Sequence, residues 1–237
     1  MRGKGEDGKA RTREVKLGRV FTRTALDEER RPVRDEDSTT RVGAIEASAD
    51  FGHRIHGEAV RRGLSKARRV ALLMDAQACN FAIAAEHFPN ATIVIDPYHA
   101  RQHLAGFLRD AAGRPLEGPP HERLGELLDA GDIETLTQQM RAALPRGGPR
   151  RAAGLKEIEY FRNHAPHMRY AQLRREGLFV GSGVIEAGCK TVVGRRLKCS
   201  GMPWSVRGAN AIVAPRRCPL SGLFEQFWES RREARAA

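Results

Sequence analysis

Three carboxylates are the side chains of this chain whose type and position best suit chemistry. Asp75 follows the apolar run at 69–74, Asp96 follows the apolar run at 91–95, and Glu186 follows a Gly-Ser-Gly turn. In open α/β sheets, ligands bind beyond the carboxyl ends of the strands. Carboxylates that meet there can hold two divalent ions, and hard oxygen ligands suit Mg²⁺ or Mn²⁺. Two such ions clamp the attacking and leaving oxygens of a phosphodiester, so the pattern favours metal-dependent phosphodiester chemistry.

The same residues have structural interpretations, which the sequence leaves open. An Asp at the end of a strand, such as Asp75 or Asp96, can be the N-cap of the helix that follows. Glu186 can lie in the first turn of a helix, where a negative charge suits the helix dipole. His99 and His103 are four residues apart on a predicted helix. They have a spacing that can bind a metal, but it also suits hydrogen-bonding groups near a helix start.

The charge of the chain predicts a polyanionic partner. Its 237 residues include 41 Lys and Arg against 29 Asp and Glu, a net charge of +12, and arginine is denser after residue 141. A basic protein of this kind most often meets nucleic acid, although a genome that favours arginine codons gives the same composition. The apolar fraction of 41% is enough for a packed core. The cysteines are 79, 189, 199 and 218, with no Cys-x-x-Cys pair, so we expect reduced thiols and no zinc site.

Hydrophobic patterns place the first two acids in an α/β arrangement. They predict strands at 14–22, 39–45, 69–74 and 91–95, and helices at 47–64, 76–88 and 97–111. Residues 24–39 are charged and are predicted to be a loop between two hairpin strands. The two later apolar runs suit strands that are buried on both faces. The element order indicates an α/β sheet with an antiparallel hairpin at one side.

A helical segment is predicted between Asp96 and Glu186. Apolar residues recur at helical spacing from Leu124 to Leu144 and again from Leu155 to Phe161, with a break at 146–150. We interpret this segment as an insertion in the α/β domain. His164 and His167 flank Pro166, and we interpret both as surface residues. A final amphipathic helix is predicted at 220–228.

Four stretches of the sequence carry a family resemblance that runs along residues 3–232. They read KARTREVKLGRVFT, DSTTRVGAIE, IDPYHARQHL and GLFVGSGVIEAGCKTVVGRRLKCSGMPWSVRGANAI. Together they resemble the ISKra-type transposases of bacterial insertion sequences, which are similar to the wider Mutator-like DDE transposases. The resemblance implies an RNase H-like fold with a helical insertion before the last acid. It also implies metal-dependent cleavage and strand transfer of DNA at insertion-sequence ends.

The resemblance assigns roles to individual residues. Asp75 resembles the second acid of the family's catalytic triad and Glu186 resembles the third, so both are implied catalytic residues and ligands of Mg²⁺ or Mn²⁺. The segment from Asp96 to His99 resembles an Asp-x-x-His signature, which implies a supporting role for those two residues. Implied partners are DNA at the element ends and further copies of the chain, with no membrane. The implied location is the bacterial cytoplasm, at the nucleoid.

Two departures from the family pattern lead to further expectations. The family's first acid lies in an Asp-Gly-Thr strand upstream of the segment that matches 14–22, and this chain starts after that point. We therefore expect a truncated transposase that lacks its first catalytic Asp and first strand and is inactive alone. The alternative is a non-catalytic, basic DNA-binding relic. At the second acid the family favours Gly-Asp-Gly-Ala, whereas residues 74–77 read Met-Asp-Ala-Gln.

The expected organisation has three segments. Residues 1–112 form a partial RNase H-like core with the hairpin strands and the strands that end at Asp75 and Asp96. Residues 113–177 form the helical insertion. Residues 178–237 form the C-terminal part of the catalytic core, with Glu186 and the final helix.

Overall fold

Strands dominate the first part of the chain, and helices dominate the later part. The computed structural model describes residues 2–4, 10–12, 14–30, 32–34, 38–113, 118–181 and 205–217. The strands are β1 (Arg2–Lys4), β2 (Ala10–Thr12), β3 (Lys16–Val20), β4 (Arg23–Leu26), β5 (Pro32–Arg34), β6 (Thr40–Ala44), β7 (Ala71–Met74) and β8 (Thr92–Ile95). The α-helices are α1 (Ser48–Arg61), α2 (Ala78–His87), α3 (Pro97–Gly106), α4 (Pro119–Ala130), α5 (Ile133–Ala142), α6 (Pro149–His164), α7 (Tyr170–Arg175) and α8 (Val206–Arg217). The mixed α/β class is confirmed.

The predicted hairpin is present, and its connection is more ordered than expected. β3 and β6 pair antiparallel, from Lys16 opposite Ala44 to Val20 opposite Thr40. The prediction of a loop at 24–39 is wrong in part, because β4 and β5 also pair antiparallel within it. The reason is a tight turn, in which the Arg30 N–H donates to the Asp27 carbonyl at 2.9 Å and lets the flanking residues meet.

The hairpin is covered by α1, which begins near its predicted start. Phe51 and Ala59 of α1 are buried. A glycine at position 18 of β3 allows the close approach of this helix. A Cβ atom there would lie 2.7 Å from Ile55 Cδ1 and 3.3 Å from Phe51 Cζ. A larger residue would therefore push α1 away from the strands.

The end of β6 is held by a residue that is distant in sequence. The Ile45 N–H donates to Asn210 Oδ1 at 2.8 Å, and Asn210 Nδ2 donates to the Ile45 carbonyl at 3.3 Å. Asn210 lies on α8, where its neighbour Ala209 is buried. One side-chain amide thus satisfies both backbone groups of a residue just past the strand.

β7 and β8 form a parallel pair that carries two of the candidate acids. The register runs from Ala71 opposite Thr92 to Met74 opposite Ile95. Val94 and Ile95 are fully buried, but the expectation that β7 is buried on both faces is wrong. Ala71 is exposed and the rest of β7 is half-buried, because among the described strands β7 pairs with β8 alone.

The expected single sheet is replaced by separate small ones. Within the described ranges, β3–β6 and β7–β8 are distinct two-stranded sheets, because no described strand pairs with both. Helix α1 packs against α2 and connects the hairpin side to the parallel pair. In the described ranges, the β3–β6 and β7–β8 sheets are therefore connected by the packing of α1 on α2 and not by strand-to-strand hydrogen bonds.

Helices are present in the segment that was predicted to be helical, and they share one core with the parallel pair. The side chain of Asp132 caps α5 by accepting from the Thr135 N–H at 3.1 Å, and a proline opens each of α4 and α6. The main core takes buried residues from β8, from α3 and the π-helical turn Phe107–Ala112 that follows it, from α4 to α7, and from Met168 just before α7. They include Val94, Ile95, Leu104, Phe107, Leu108, Leu128, Leu136, Met140, Ile158, Phe161, Met168 and Tyr170. The insertion thus packs directly on the strand and helix that flank Asp96.

Candidate active site at the strand ends

Two of the predicted acids meet at one edge of the parallel pair. Asp75 follows β7 and Asp96 follows β8, whose last residues are register partners. The Asp96 N–H donates to the Met74 carbonyl at 2.8 Å, so the ladder continues up to the acid itself. Because parallel strands end on the same side, both carboxylates lie at the edge where α/β sheets bind ligands.

Asp96 is a buried helix cap. Its side chain is 5% exposed, and Oδ1 accepts from the Tyr98 N–H at 2.9 Å at the start of α3. Its Oδ2 lies 3.3 Å from His99 Nδ1. The N-cap interpretation is therefore confirmed, and both carboxylate oxygens have partners. Asp96 and His99, the two residues of the Asp-x-x-His segment, contact each other.

Asp75 is only half-buried, and it keeps one carboxylate oxygen available. Oδ1 accepts from Asn80 Nδ2 and from the Gln77 N–H, the latter at 3.3 Å. In the part of the chain that the structure describes, every hydrogen bond to this side chain goes to Oδ1. Asp75 therefore has an oriented carboxylate with Oδ2 open, as a ligand of a hard cation needs.

A second layer of polar side chains, which the sequence did not predict, comes from α6. Glu157 Oε2 lies 2.8 Å from His103 Nδ1, and the Tyr160 ring stacks on the imidazole of His103. Burial, followed by the charges of Asp75, Glu157 and Asp96, raises the pKa of Tyr160. Among the residues that the structure describes, this buried hydroxyl has no hydrogen-bond partner. Glu157 and Tyr160 are three residues apart on a helix, a spacing that could have indicated a shared face.

The interpretation of His164 and His167 as surface residues is wrong. Both are half-buried, and their rings lie 5.5 and 5.7 Å from the ring of Phe81 on α2. The reason is a 3₁₀ turn at Ala165–His167, which directs both imidazoles to one aromatic ring. Burial lowers the pKa of His164, and nearby His167 and His103 lower it further. Burial also lowers the pKa of His167, with a smaller effect from Arg169.

Glu186, the third predicted acid, lies outside the described residues, as does the final helix predicted at 220–228. Of the predicted acids, the described residues therefore include Asp75 and Asp96 as candidate ligands of a magnesium ion. Asp75 offers one open oxygen, whereas Asp96 and Glu157 contact histidines. Asp75 fits the role of metal ligand. The described residues by themselves supply too few open oxygens for two ions.

Comparison of the chain with protein-family models, with curated proteins and with solved structures found no match. None of the described helices combines the length and apolar character that a membrane span requires. Cys79, the one cysteine in the described ranges, is a free thiol. Function is therefore inferred from the residues and their geometry.

Proposed function

We propose that this chain acts on DNA through metal-dependent phosphodiester chemistry, as part of a DDE transposase of the ISKra type with an RNase H-like core. One observation carries the proposal. Asp75 ends β7 with Oδ2 open, next to a buried Asp96 that ends the neighbouring parallel strand. This is the position that the resemblance assigns to the second catalytic acid.

The proposed roles follow from the contacts of each residue. Asp75 and Glu186 would hold Mg²⁺ or Mn²⁺, which supplies activation of the attacking oxygen and stabilisation of the leaving oxygen. Asn80 and the Gln77 N–H orient Asp75. Asp96 fixes the start of α3, together with His99. Glu157 and Tyr160 of α6 lie beside these residues.

The charge of the insertion supports a DNA partner. Residues 141–175 contain nine Lys and Arg but two Asp and Glu. Arg150, Lys156 and Arg162 are exposed on α6, the helix whose Glu157 and Tyr160 reach toward the strand ends. A phosphate backbone attracted to α6 would therefore pass close to Asp75.

A second candidate function is DNA binding without cleavage. It is favoured by the two carboxylate oxygens of Asp96, which are both engaged by protein groups. In that case the basic surface would bind DNA, and Asp75 would only hold the turn into α2. Self-association and a location at the nucleoid stay predictions.

Nicking of supercoiled plasmid with Mn²⁺ tests the catalytic proposal. Where the parent chain nicks the plasmid, we expect Asp75→Asn and Glu186→Gln each to abolish the nicking. The matched control is Asp110→Asn, which removes an exposed carboxylate paired with Arg109 and should nick like the parent. Nicking that survives both active-site changes would refute these assignments. A folded parent that binds DNA but never nicks is expected both of the second candidate and of a transposase chain that is inactive alone.

A salt titration of DNA binding tests the partner. Each phosphate contact that is lost should reduce the slope of log K against log salt by about 1. We expect the combined change of Arg150, Lys156 and Arg162 to Gln to flatten this slope. The control changes three other arginines to Gln, namely Arg69, Arg101 and Arg109. These side chains already form ion pairs, with Glu176, Asp129 and Asp110 respectively. Equal slopes for the two triple variants would contradict binding along α6.

A further inference from the structure

A cluster of histidines and one glutamate joins α1 to α2, away from the strand-end acids. His53 lies on α1, and Glu86 and His87 lie at the end of α2. One ligand atom from each of the three side chains lies within 4.8 Å of the others. His87 Nε2 is 3.7 Å from Glu86 Oε1, and the two histidine rings have centroids 4.8 Å apart.

His87 has a buried nitrogen that the described residues leave without a partner. Its side chain is 8% exposed, and Nε2 is buried without a hydrogen bond from any residue in the described ranges. A buried polar atom of this kind costs about 1–3 kcal/mol unless something binds it. The ring reaches this position because residue 52 is glycine, where a Cβ would lie 2.7 Å from Nε2. The nitrogen thus faces the cluster with its lone pair or proton unused.

We propose that His53, Glu86 and His87 bind one divalent transition-metal ion of the zinc class. The three ligand atoms lie within 4.8 Å of one another. A point between them is therefore at most about 2.8 Å from each atom. Zinc–ligand distances are about 2.0–2.2 Å, so each side chain would have to move inward by less than about 1 Å to bind the ion. Two nitrogens and one carboxylate oxygen suit Zn²⁺, Co²⁺ or Ni²⁺ and are a poor set for Mg²⁺. His53 and Glu86 are exposed, which leaves a fourth position for water.

The bound ion would fasten two parts of the fold that share no ladder of hydrogen bonds in the described ranges. α1 covers the β3–β6 hairpin, and α2 follows β7 and carries the Asn80 that orients Asp75. A ligand on each helix closes this junction with metal–ligand bonds. The expectation of no zinc site rested on the spacing of cysteines, and the ligands proposed here are histidines and a glutamate.

Binding of Zn²⁺ to the purified chain by calorimetry, with Co²⁺ absorption as a spectroscopic probe, tests the proposal. We expect one ion per chain, with affinity reduced at least about tenfold in His53→Gln and in Glu86→Gln, because loss of a ligand costs no less than loss of an outer partner. Both residues are exposed, so both variants should fold. The same ion should raise the Tm of the parent more than that of either variant.

The matched control is His56→Gln. His56 lies one turn from His53 on α1 and stacks on His87 at 5.4 Å, but it is outside the ligand cluster. We expect its zinc affinity to stay near that of the parent. Parent binding no tighter than that of His53→Gln would overturn the proposal. Equal binding by all four proteins would also overturn it, because the ion would then lie elsewhere.

Discussion

The imidazole of His103 lies flat against the ring of Tyr160, with centroids 3.6 Å apart and planes inclined by 19°. The Glu157 carboxylate on the same helix as Tyr160 also contacts His103, through its Nδ1 atom. α3, which Asp96 caps, is therefore fixed to α6 by a ring stack and a hydrogen bond. The helical insertion thereby forms part of the surroundings of the strand-end acids.

Changing Tyr160 to Phe should leave stability unchanged or raise it. In the described ranges the buried hydroxyl has no hydrogen-bond partner, so its removal ends a desolvation cost and keeps the stack. We expect the free energy of unfolding in urea to rise by zero to about 1 kcal/mol. Tyr160→Leu should lower it by about 1 kcal/mol or more, because the aromatic pair is lost. A marked loss in Tyr160→Phe would show that the hydroxyl has a partner in solution.

Changing Asp96 to Ala should destabilise the chain through α3. The loss of a buried cap with two partners should cost about 2 kcal/mol, whereas Asn caps about as well as Asp and should retain most of the stability. Asp132→Ala removes an exposed cap from α5 and should lower stability less than Asp96→Ala does. Thermal unfolding of the three variants checks this order. Equal Tm values for Asp96→Ala and Asp96→Asn would show that the cap contributes little.

The half-buried histidines beside Phe81 should make stability depend on pH. Burial lowers the pKa of both His164 and His167, so the folded chain keeps these rings neutral while the unfolded chain binds protons below about pH 6.5. The unfolded state then takes up more protons, and stability falls as the pH drops from about 6.5 through the lowered pKa values.

The measurement is Tm from about pH 5 to about pH 8, the range in which histidines change charge. We expect the double variant His164→Gln and His167→Gln to lose part of the decline at low pH. The control is His121→Gln on α4, which lies outside this cluster and should keep the decline of the parent. A decline of the same size in the parent and the double variant would count against these two rings as its source.

Two glycines with similar backbone angles should respond differently to alanine. Gly131 (φ +77) and Gly63 (φ +86) are both left-handed, which costs an alanine about 1–2 kcal/mol. A Cβ on Gly131 would also lie 2.8 Å from the Met168 carbonyl oxygen and 2.9 Å from Arg169 Cα, whereas one on Gly63 would have open space. We expect a loss of about 3 kcal/mol or more for Gly131→Ala and about 1 kcal/mol for Gly63→Ala in urea denaturation. Equal losses would mean that the chain at 168–169 moves aside.

Local patterns were enough to predict the elements that carry Asp75 and Asp96. Alternation of apolar residues predicted β3 and β6, and apolar runs that end in an acid predicted β7 and β8. The cap at Asp96 was one of two open interpretations, because an Asp before proline suits a helix start whether or not it binds a ligand.

Contacts between distant segments could not be predicted in this way. His103 and Glu157 are 54 residues apart, and neither has a local pattern that names the other. The junction of His53 with Glu86 and His87 depends on how α1 packs on α2, which periodicity does not determine. The prediction of His164 and His167 as surface residues was wrong. The proline between them indicates that the helix ends there, but it does not indicate where the following turn places the two rings.

The amide of Asn210 that holds Ile45 has a consequence for synthesis of the chain. These partners are separated by 165 residues, which a ribosome takes on the order of ten seconds or more to add. During that interval β6 has emerged, but its end has no amide to bind. The backbone groups of Ile45 therefore have only solvent or chaperones as partners until α8 has been synthesised.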